Sequence, residues 1–332
     1  MDVIVTVDTE ADDQWSGSHS LAVRNLAFIP RFQELCERHG LKPTYLCTWE
    51  VAEAPEFDAI LAEPARRGAA EIGSHLHPWS TPPFDGKVVD GFDVDWYPAF
   101  PSELPLASFR NKLAKLTDRL AERAGRRPTS YRSGRWGMAA EHVEPLVELG
   151  YVVDSSVTPL KDWSPQRGVR APGPDFRAAP AQPYRLGTRD LMSPGDSRLW
   201  ELPMSILQAH PIVRRVPGGE RLRTLACKTR IGRGLSHRLG LDPIWFRPYP
   251  HVSAGGLLRV YQAARAAGRP YLMMMTHSSE LMPGGSPHHP DAPSIEAMYE
   301  KLDRVFARLA ADGCRGATLT EAAQRLSTRP LA

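Results

Sequence analysis

Two histidines stand at a spacing that suits metal binding. An apolar run that begins at Ala70 leads into His75 and His77, and Pro78 then ends the predicted strand. Residues two apart in an extended backbone point to the same face, so both imidazoles can reach one ion. Imidazole nitrogens are common ligands of Zn²⁺ and of related divalent ions. The pair therefore predicts a metal site at the end of a buried strand.

Carboxylates follow the first predicted strand in the same way. Val3 to Val7 is typical of a buried strand and runs directly into Asp8 and Glu10. A metal-dependent hydrolase needs an ion with an open coordination position, a base for water and an acid for the leaving group. We expect Glu10 to be the third ligand beside the two histidines, and Asp8 to be the base. The alternative, in which the histidines are ordinary core residues, is less favoured because acids and histidines end neighbouring strands together.

A third histidine lies at the end of another strand. His277 follows the apolar run Tyr271 to Met275, and an imidazole that titrates near neutral pH suits proton donation to a leaving group. The alternative is a hydrogen-bonded histidine that takes no part in catalysis. We expect Glu280 or Asp154 to hold its second ring nitrogen, and we place both carboxylates on the substrate-binding side of the site.

Arg132 and two tryptophans complete the predicted site. An arginine beside carboxylates often orients one of them by paired hydrogen bonds, so we expect Arg132 to hold Asp8 and to keep it ionised. The alternative is an exposed ion pair, which contributes little stability. Trp136 is either a wall on which a sugar ring stacks or a core residue. Trp79, close to the histidine pair, is included with Trp136 among the predicted substrate contacts.

Alternating strands and helices predict a parallel sheet. The clearest helix spans Leu106 to Leu120, where apolar residues recur three and four positions apart. Because polar residues follow almost every predicted strand, they would gather at the carboxyl-terminal rim of a barrel. We expect an α/β fold, a distorted (β/α) barrel of about seven parallel strands. The whole chain, 1–332, would form one domain with long loop insertions at about 80–105, 160–199 and 205–250.

The charge balance and the hydropathy exclude some classes of function. The chain carries 41 basic and 38 acidic residues, a formal net charge of +3, which does not indicate nucleic-acid binding. No apolar run reaches the ~18 residues of a membrane-spanning helix. A strand begins directly after Met1, so we expect no signal peptide and a cytoplasmic protein. The basic stretch from His210 to Arg238 is either a solvated face or a contact for phosphate or anionic lipid headgroups, and the oligomeric state stays open.

Four segments together resemble one enzyme family. They are, in order, V-T-V-D-T-E, E-I-G-S-H-L-H-P-W, Y-R-S-G-R-W-G and M-T-H-S-S-E-L. In this set the chain resembles the polysaccharide deacetylases with a NodB-homology domain, carbohydrate esterase family 4, and among them the WalW-type proteins of surface-polysaccharide gene clusters. The resemblance implies a distorted (β/α) barrel, a divalent metal such as zinc, and removal of acetyl groups from N-acetylated sugars.

The resemblance also implies roles for individual residues. Asp8 matches the base of the family, and His75 matches its first metal-binding histidine. Arg132 matches the arginine that orients the base, and His277 matches the catalytic acid.

Two positions differ from the family pattern. Thr9 stands where the family has a second, metal-binding aspartate, and family variants with the pattern D-x-E imply that Glu10 takes its place. Trp79 stands where the second histidine is expected, so His77 would bind the metal from a shorter spacing.

We therefore expect a metal-dependent hydrolase, with Zn²⁺ as the expected ion, that removes acetyl from an N-acetylated sugar or sugar conjugate in surface-polysaccharide biosynthesis. One alternative is hydrolysis of another C–N bond, in a cyclic amide or a formamide. Another is a non-catalytic carbohydrate-binding homologue that keeps only the barrel.

Overall fold

A curled, mostly parallel β-sheet forms the centre of the molecule. The computed structural model describes residues 1–12, 14–15, 19–210, 212–213, 216, 218–227, 229–239 and 241–328. The strands are β1 (Asp2–Thr9), β2 (Pro43–Cys47), β3 (Glu71–Leu76), β4 (Val88–Val89), β5 (Phe92–Asp93), β6 (Ser130–Ser133), β7 (Val153–Asp154), β8 (Tyr184–Arg185), β9 (Trp200–Glu201), β10 (Ile206–Leu207), β11 (Ile244–Trp245), β12 (Tyr271–His277) and β13 (Arg315–Ala317).

The main sheet is an open half-barrel, which confirms the predicted α/β barrel class. Its strand order is β12-β1-β2-β3-β6-β7-β9-β8, with β13 attached to β1. All its pairings are parallel except that of β8 with β9. Across the described residues β12 and β8 end this order without pairing to each other, so the barrel does not close. The sheet has nine strands where about seven were expected, because the short β8 and β13 join it.

Helices connect the strands and cover the outer face of the sheet. They are α1 (Ile29–Arg38), α2 (Trp49–Glu53), α3 (Glu63–Arg66), α4 (Leu106–Ala124), α5 (Val143–Glu148), α6 (Gly219–Ala226), α7 (Arg230–Arg238), α8 (Ala254–Ala266), α9 (Ala292–Ala311) and α10 (Leu319–Ser327). The predicted stripe on α4 is buried from Phe109 onward, with Leu113 among its core residues. The helix ends at Gly125, whose φ of 76° is a left-handed conformation that glycine adopts without a steric penalty.

The first strand shows how the sequence turns functional residues toward the barrel interior. All eight residues of β1 are buried, and successive side chains point to opposite faces. Its three valines pack in the core beneath the helices, whereas Ile4 belongs to a second core inside the barrel. Asp8 shares the face of Ile4, so it points inward at the carboxyl end of the strand. The same alternation turns His277 inward at the end of β12.

The predicted insertions contain short elements of secondary structure. Residues 80–105 include the β4–β5 hairpin, and residues 160–199 include β8. Residues 205–250 contain β10, α6, α7 and β11, and the two strands pair antiparallel. That the whole chain forms one domain stays a prediction. None of the described helices is both long and apolar enough to cross a membrane.

Candidate active site

The carboxyl ends of four strands, β12, β1, β3 and β6, meet at one pocket of about 440 Å³. In the parallel register Asp8 lies beside His277, and His75 lies beside Arg132. Parallel strands end on the same side of a sheet, so polar residues that are distant in sequence come together there. The structure thus brings the predicted base, acid and histidine pair to the same pocket.

Glu10, His75 and His77 form a buried cluster that could hold a metal ion. One ligand atom from each residue lies within 4.8 Å of the other two. Oε2 of Glu10 is 3.6 Å from Nε2 of His75 and 3.3 Å from Nε2 of His77. A tetrahedral ion with bonds of about 2.0–2.2 Å holds its ligand atoms about 3.3–3.6 Å apart, so both of these distances fit such an ion. Two imidazoles and one carboxylate also form a donor set found in catalytic zinc sites.

A hydrogen bond fixes the orientation of the first histidine. Nδ1 of His75 is 2.9 Å from the main-chain oxygen of Arg132, so Nδ1 carries the proton and Nε2 faces the cluster. Burial by itself would lower the pKa of His75, but the carboxylates of Asp8 and Glu10 outweigh burial and raise this pKa. Burial, together with positively charged neighbours, holds the pKa of His77 well below its usual value. His77 is therefore neutral, the form that binds a metal.

Packing fixes the second histidine. A β-carbon at Gly134 would lie 2.4 Å from Cδ2 of His77 and 2.4 Å from the main-chain oxygen of Leu76, so no larger residue fits unless both the ring and the main chain move. Trp79 lies against the same ring, with centroids 4.4 Å apart. Nδ1 of His77 is buried and has no hydrogen-bond partner among the described residues. The position of this ring thus depends on its neighbours' shapes.

Asp8 is paired with a fully buried arginine. Nη1 of Arg132 donates to Oδ1 of Asp8, and Nε donates to the main-chain oxygen of Ser155 at 2.8 Å. Nη2 donates to Oγ1 of Thr6 at 3.1 Å. Burial by itself would raise the pKa of Asp8, but Arg132 and two nearby histidines outweigh burial, so this pKa is lowered. Asp8 is therefore ionised at neutral pH, and its Oδ2 lies 4.0 Å from Nε2 of His277.

His277 faces these carboxylates and has two charged partners behind it. Its Nε2 is 3.8 Å from Oε1 of Glu10. Its Nδ1 is 2.8 Å from Nη2 of Arg247 and 3.2 Å from Oε2 of Glu280. A guanidinium only donates hydrogen bonds, so when Arg247 bonds to Nδ1 the ring proton is on Nε2, on the pocket side.

Glu280 and Arg247 form a buried ion pair of 2.8 Å. Oε2 of Glu280 also accepts from the main-chain N–H of His277 at 2.9 Å and from Oγ1 of Thr276 at 3.0 Å. Burial by itself would raise the pKa of Glu280, but Arg247 outweighs burial, and this pKa is held well below its usual value. His277 thus has a partner at Nδ1 in both protonation states: Arg247 when the ring is neutral and Glu280 when it is charged.

The walls of the pocket are largely aromatic. The lining includes both predicted tryptophans, Trp79 and Trp136. Trp136 stacks on Trp163, another lining residue, with ring centroids 6.2 Å apart. Glu280 is absent from the described lining because its carboxylate lies behind His277. The position of Glu280 therefore supports the predicted contact with His277 and gives no support to a contact with substrate.

Asp154 lies away from the pocket. Its neighbour Val153 belongs to the core inside the barrel, so Asp154 points to the opposite side of the strand. Its fully buried carboxylate accepts from the main-chain N–H of Ser156 at 3.1 Å and from Oγ of the same residue at 2.7 Å. Burial raises the pKa of Asp154. This position supports neither the predicted contact with His277 nor a contact with substrate.

Arg247 is one of the site residues that the sequence reasoning missed, together with Trp15, Tyr97, Trp163 and Tyr249 of the pocket lining. It follows β11 in the segment W-F-R-P-Y-P, lines the pocket and is 4% exposed. The available signal was an arginine among aromatic and proline residues directly after a short strand. That signal gives no partner, because the partners of Arg247 lie on a different strand end.

A strained turn presents Trp136 and one further side chain, Arg135, to the pocket. Arg135 and Trp136 have left-handed backbone conformations, with φ of 52° and 63°. Such conformations are uncommon for residues other than glycine and concentrate at functional sites. The guanidinium of Arg135 donates to the main-chain oxygens of Pro98 and Arg167 and lies 4.1 Å from the ring centre of Phe100. The turn therefore joins the end of β6 to two neighbouring loops.

Solved structures with the same fold include carbohydrate-active hydrolases. The chain aligns over 100% of its length with 92% of a protein assigned as a polysaccharide deacetylase from Mycobacterium smegmatis, at 16% identity and a TM-score of 0.53. It aligns over 99% of its length with 72% of a protein assigned as a glycoside hydrolase/deacetylase from Parabacteroides distasonis, at 10% identity and a TM-score of 0.58. It also aligns over 100% of its length with 91% of the Puue allantoinase, at 11% identity and a TM-score of 0.51.

These likenesses confirm, at the level of the fold, the resemblance to the polysaccharide deacetylases. The chain has their barrel, with a Glu-His-His cluster at the carboxyl ends of its strands. Comparison with protein-family models finds no match, and comparison with curated proteins finds none either. The WalW-type branch stays a prediction.

Proposed function

We propose that the chain is a metal-dependent hydrolase that removes the acetyl group from an N-acetylated sugar. The observation that carries this proposal is the convergence of Glu10, His75 and His77 with Asp8 and His277 on one pocket. A Lewis-acid site, an ionised base and a proton donor are the parts that hydrolysis of an amide requires. The fold shared with a protein assigned as a polysaccharide deacetylase supports an acetylated sugar as the substrate.

The chain's own groups would move the protons. Asp8 takes a proton from the attacking water, because Arg132 keeps this carboxylate ionised and holds its Oδ1 while Oδ2 stays toward the pocket. His277 acts as the acid in its charged form: Nδ1–H donates to Oε2 of Glu280, and the proton on Nε2 passes to the departing nitrogen, which leaves a neutral ring. The C–N bond breaks as the nitrogen is protonated, and the products are acetate and the free amino sugar.

Glu10, His75 and His77 would hold the ion, and Zn²⁺ is the ion that we propose because it favours such nitrogen and carboxylate donors. When bound, a divalent ion supplies Lewis-acid activation of the acyl oxygen. Trp79 and Trp136 would position the sugar by contact with their ring faces, since both line the pocket.

The test is release of acetate from N-acetylglucosamine oligomers and from nucleotide-linked N-acetylglucosamine by the Zn²⁺-loaded protein. Asp8→Asn and His277→Gln should each lower kcat by about 10²–10⁴-fold, the usual contribution of acid–base catalysis. Asp2→Asn is the matched control, because Asp2 begins the same strand as Asp8 but pairs with Arg315 at 2.8 Å, away from the pocket. Full turnover by Asp8→Asn, or no hydrolysis of any acetylated sugar by the loaded protein, contradicts the proposal.

A second candidate substrate is a cyclic amide. The fold shared with an allantoinase favours it, and the same base and acid would serve its hydrolysis. A parallel panel of hydantoins, imides and formamides separates the two reactions. A protein that binds oligosaccharides but takes up no metal and hydrolyses no member of either panel would instead be a carbohydrate-binding homologue.

The setting of the reaction rests on sequence motifs alone. We propose a WalW-type deacetylase of one barrel domain, residues 1–332, that acts in the cytoplasm during surface-polysaccharide biosynthesis. Activity on nucleotide- or lipid-linked sugars that exceeds activity on polymers would support this setting, and the reverse preference would contradict it.

A further inference from the structure

Residues 208–243, here called the helical insertion, interrupt a two-stranded ribbon. Leu207 at the end of β10 pairs with Ile244 at the start of β11, and α6 and α7 lie between them in sequence. Nε2 of Gln208 donates to the main-chain oxygen of Leu241 at 2.8 Å, which joins the two ends of the insertion. The insertion is therefore anchored at its base by the ribbon.

The helical insertion exposes a concentration of aliphatic side chains. Seven of the thirteen exposed large apolar residues among the described ones lie in it, at 45% to 85% exposure. They are Ile212, Val216, Leu222, Leu225, Ile231, Leu235 and Leu239. Single exposed apolar residues are normal, but such a cluster marks a binding surface. Ile231, Leu235 and Leu239 are four residues apart, the spacing that places side chains along one face of a helix.

The same segment accounts for the net positive charge of the protein. The sequence of the helical insertion contains eight basic and two acidic residues, a formal charge of +6, whereas the whole chain carries +3. The rest of the chain is therefore at −3. The side chains of Arg230 and Arg238 are exposed. Those of the other six basic residues lie outside the described part of the structure.

This combination of charge and exposure decides between possible partners. A second copy of the chain that docked through the same insertion would bring two segments of formal charge +6 together, which is unfavourable. Nucleic acid would satisfy the arginines, but its phosphates would leave the aliphatic side chains in water. An anionic bilayer accepts both, because arginines pair with headgroup phosphates while leucines and isoleucines enter the boundary between headgroups and acyl chains.

We propose that the helical insertion docks the protein on an anionic phospholipid surface. The insertion continues through β11 into Arg247 and Tyr249, which line the pocket. In a docked protein, the segment in contact with the membrane would therefore be followed directly in the chain by residues that line the pocket. This inference concerns a separate surface and does not depend on the proposed hydrolysis.

The experiment measures binding of the full chain to vesicles without substrate. Sedimentation with vesicles of phosphatidylcholine alone is compared with sedimentation with equimolar phosphatidylcholine and phosphatidylglycerol. The aliphatic variant is Leu225→Ser/Ile231→Ser, and the charge variant is Arg230→Glu/Arg238→Glu. Val88→Ser/Val89→Ser is the matched control, because these two valines are also aliphatic and exposed, at 44% each, but lie outside the insertion. All of the substituted side chains are exposed, and circular dichroism checks that each variant keeps the fold.

We expect binding to the anionic vesicles that weakens with added salt and is much weaker for phosphatidylcholine alone. Each basic residue near an anionic surface contributes roughly fivefold to partitioning, so the charge variant should lose more than about tenfold. The aliphatic variant should lose a similar factor, and the control should bind as the unmodified protein does. No binding to anionic vesicles, or binding that survives both variants, overturns the proposal. A dimer that the aliphatic variant abolishes, without vesicle binding, overturns it in favour of a second copy.

Discussion

The buried pair of Arg132 and Asp8 gives a direct test of the electrostatics of the site. Arg132 is fully buried, and its guanidinium also donates to Ser155 and Thr6. Removal of one partner of a buried ion pair costs about 3–5 kcal/mol, because the other charge is left without compensation. Arg132→Met, which is similar in length, should lower the free energy of unfolding by this amount at neutral pH. With an unfolding entropy of roughly 2.1 cal/mol/K per residue over 332 residues, the thermal midpoint should fall by about 4–7 °C.

A second substitution separates the lost charge pair from lost packing. Asp8→Asn in the Arg132→Met background removes the unpaired carboxylate, so the double variant should be more stable than Arg132→Met by about 1–3 kcal/mol. Arg31→Met is the matched control, since Arg31 pairs with Glu296 at 2.6 Å but both side chains are half exposed. Exposed pairs contribute less than about 1 kcal/mol.

The pH dependence of the free energy of unfolding should have opposite signs in the unmodified protein and in Arg132→Met. The folded-state pKa of Asp8 is lowered, so its contribution to stability is present above the unfolded pKa of about 3.9 and is lost as the pH falls through the lower folded pKa. Without Arg132, burial raises the folded pKa, so the carboxylate destabilises the protein at neutral pH and ceases to do so in acid. Urea unfolding in the presence of a chelator, at neutral and acidic pH, measures both effects. An unchanged midpoint for Arg132→Met, or no rescue by Asp8→Asn, would refute the reasoning.

Three further substitutions test the remaining parts of the site. Glu10→Gln should lower Zn²⁺ affinity by more than about 100-fold, since even groups that only orient a ligand contribute about 10–100-fold; competition with a chromophoric chelator measures this, and unchanged affinity contradicts the ligand assignment. Gly134→Ala should cost about 1–3 kcal/mol in urea unfolding and weaken metal binding, because the new methyl group clashes with the ring of His77 and with the main-chain oxygen of Leu76. Arg247→Met should lower kcat by about 10–100-fold with a smaller change in KM, because Glu280, the acceptor for Nδ1–H of the charged His277, loses the buried arginine that holds its carboxylate.

The alternation of side chains along buried strands made much of the pocket predictable. Buried parallel strands are nearly continuous apolar runs, so the polar residue that ends each run is visible in the sequence. Asp8, His75 and His277 follow such runs, and each is inward-facing at the same rim. Their proximity required only that parallel strands share a direction, because the carboxyl ends then lie together. The roles of these residues stay predictions until the variants are measured.

Asp154 is a predicted site residue that the structure does not bring to the pocket; its neighbour Ser155 is the residue that contacts Arg132. Strand β7 consists of Val153 and Asp154 alone, and the apolar run before it gives no alternation that would assign a face. The structure turns Asp154 away from the pocket, and Ser155 instead approaches Arg132, accepting from its Nε and Nη2. In a short strand without alternating polarity, the face of each side chain depends on the pairing register and not on local sequence.

Strands that are very short, or that pair with distant segments, could not be predicted from the sequence pattern either. Strand β8 has two residues in a proline-rich stretch, and β10 pairs with β11 only across the helical insertion. No local periodicity identifies such strands, because two residues cannot show a period. Arg247 reaches His277 as a result of that long-range pairing, which explains why its motif was visible but its contact was not.

The charges of the pocket explain why a cation fits at one position in particular. Three buried carboxylates lie in or beside it, and two of them, Asp8 and Glu280, each have a buried arginine as partner. The ion-pair partners of Glu10 among the described residues are histidines. Neutral imidazoles cannot compensate a buried carboxylate, so either a proton or a metal ion must supply the positive charge. The pKa of His75 is raised by the nearby carboxylates, so this histidine is the group that would take up the proton. A bound metal ion would displace that proton. Metal affinity should therefore fall as the pH is lowered.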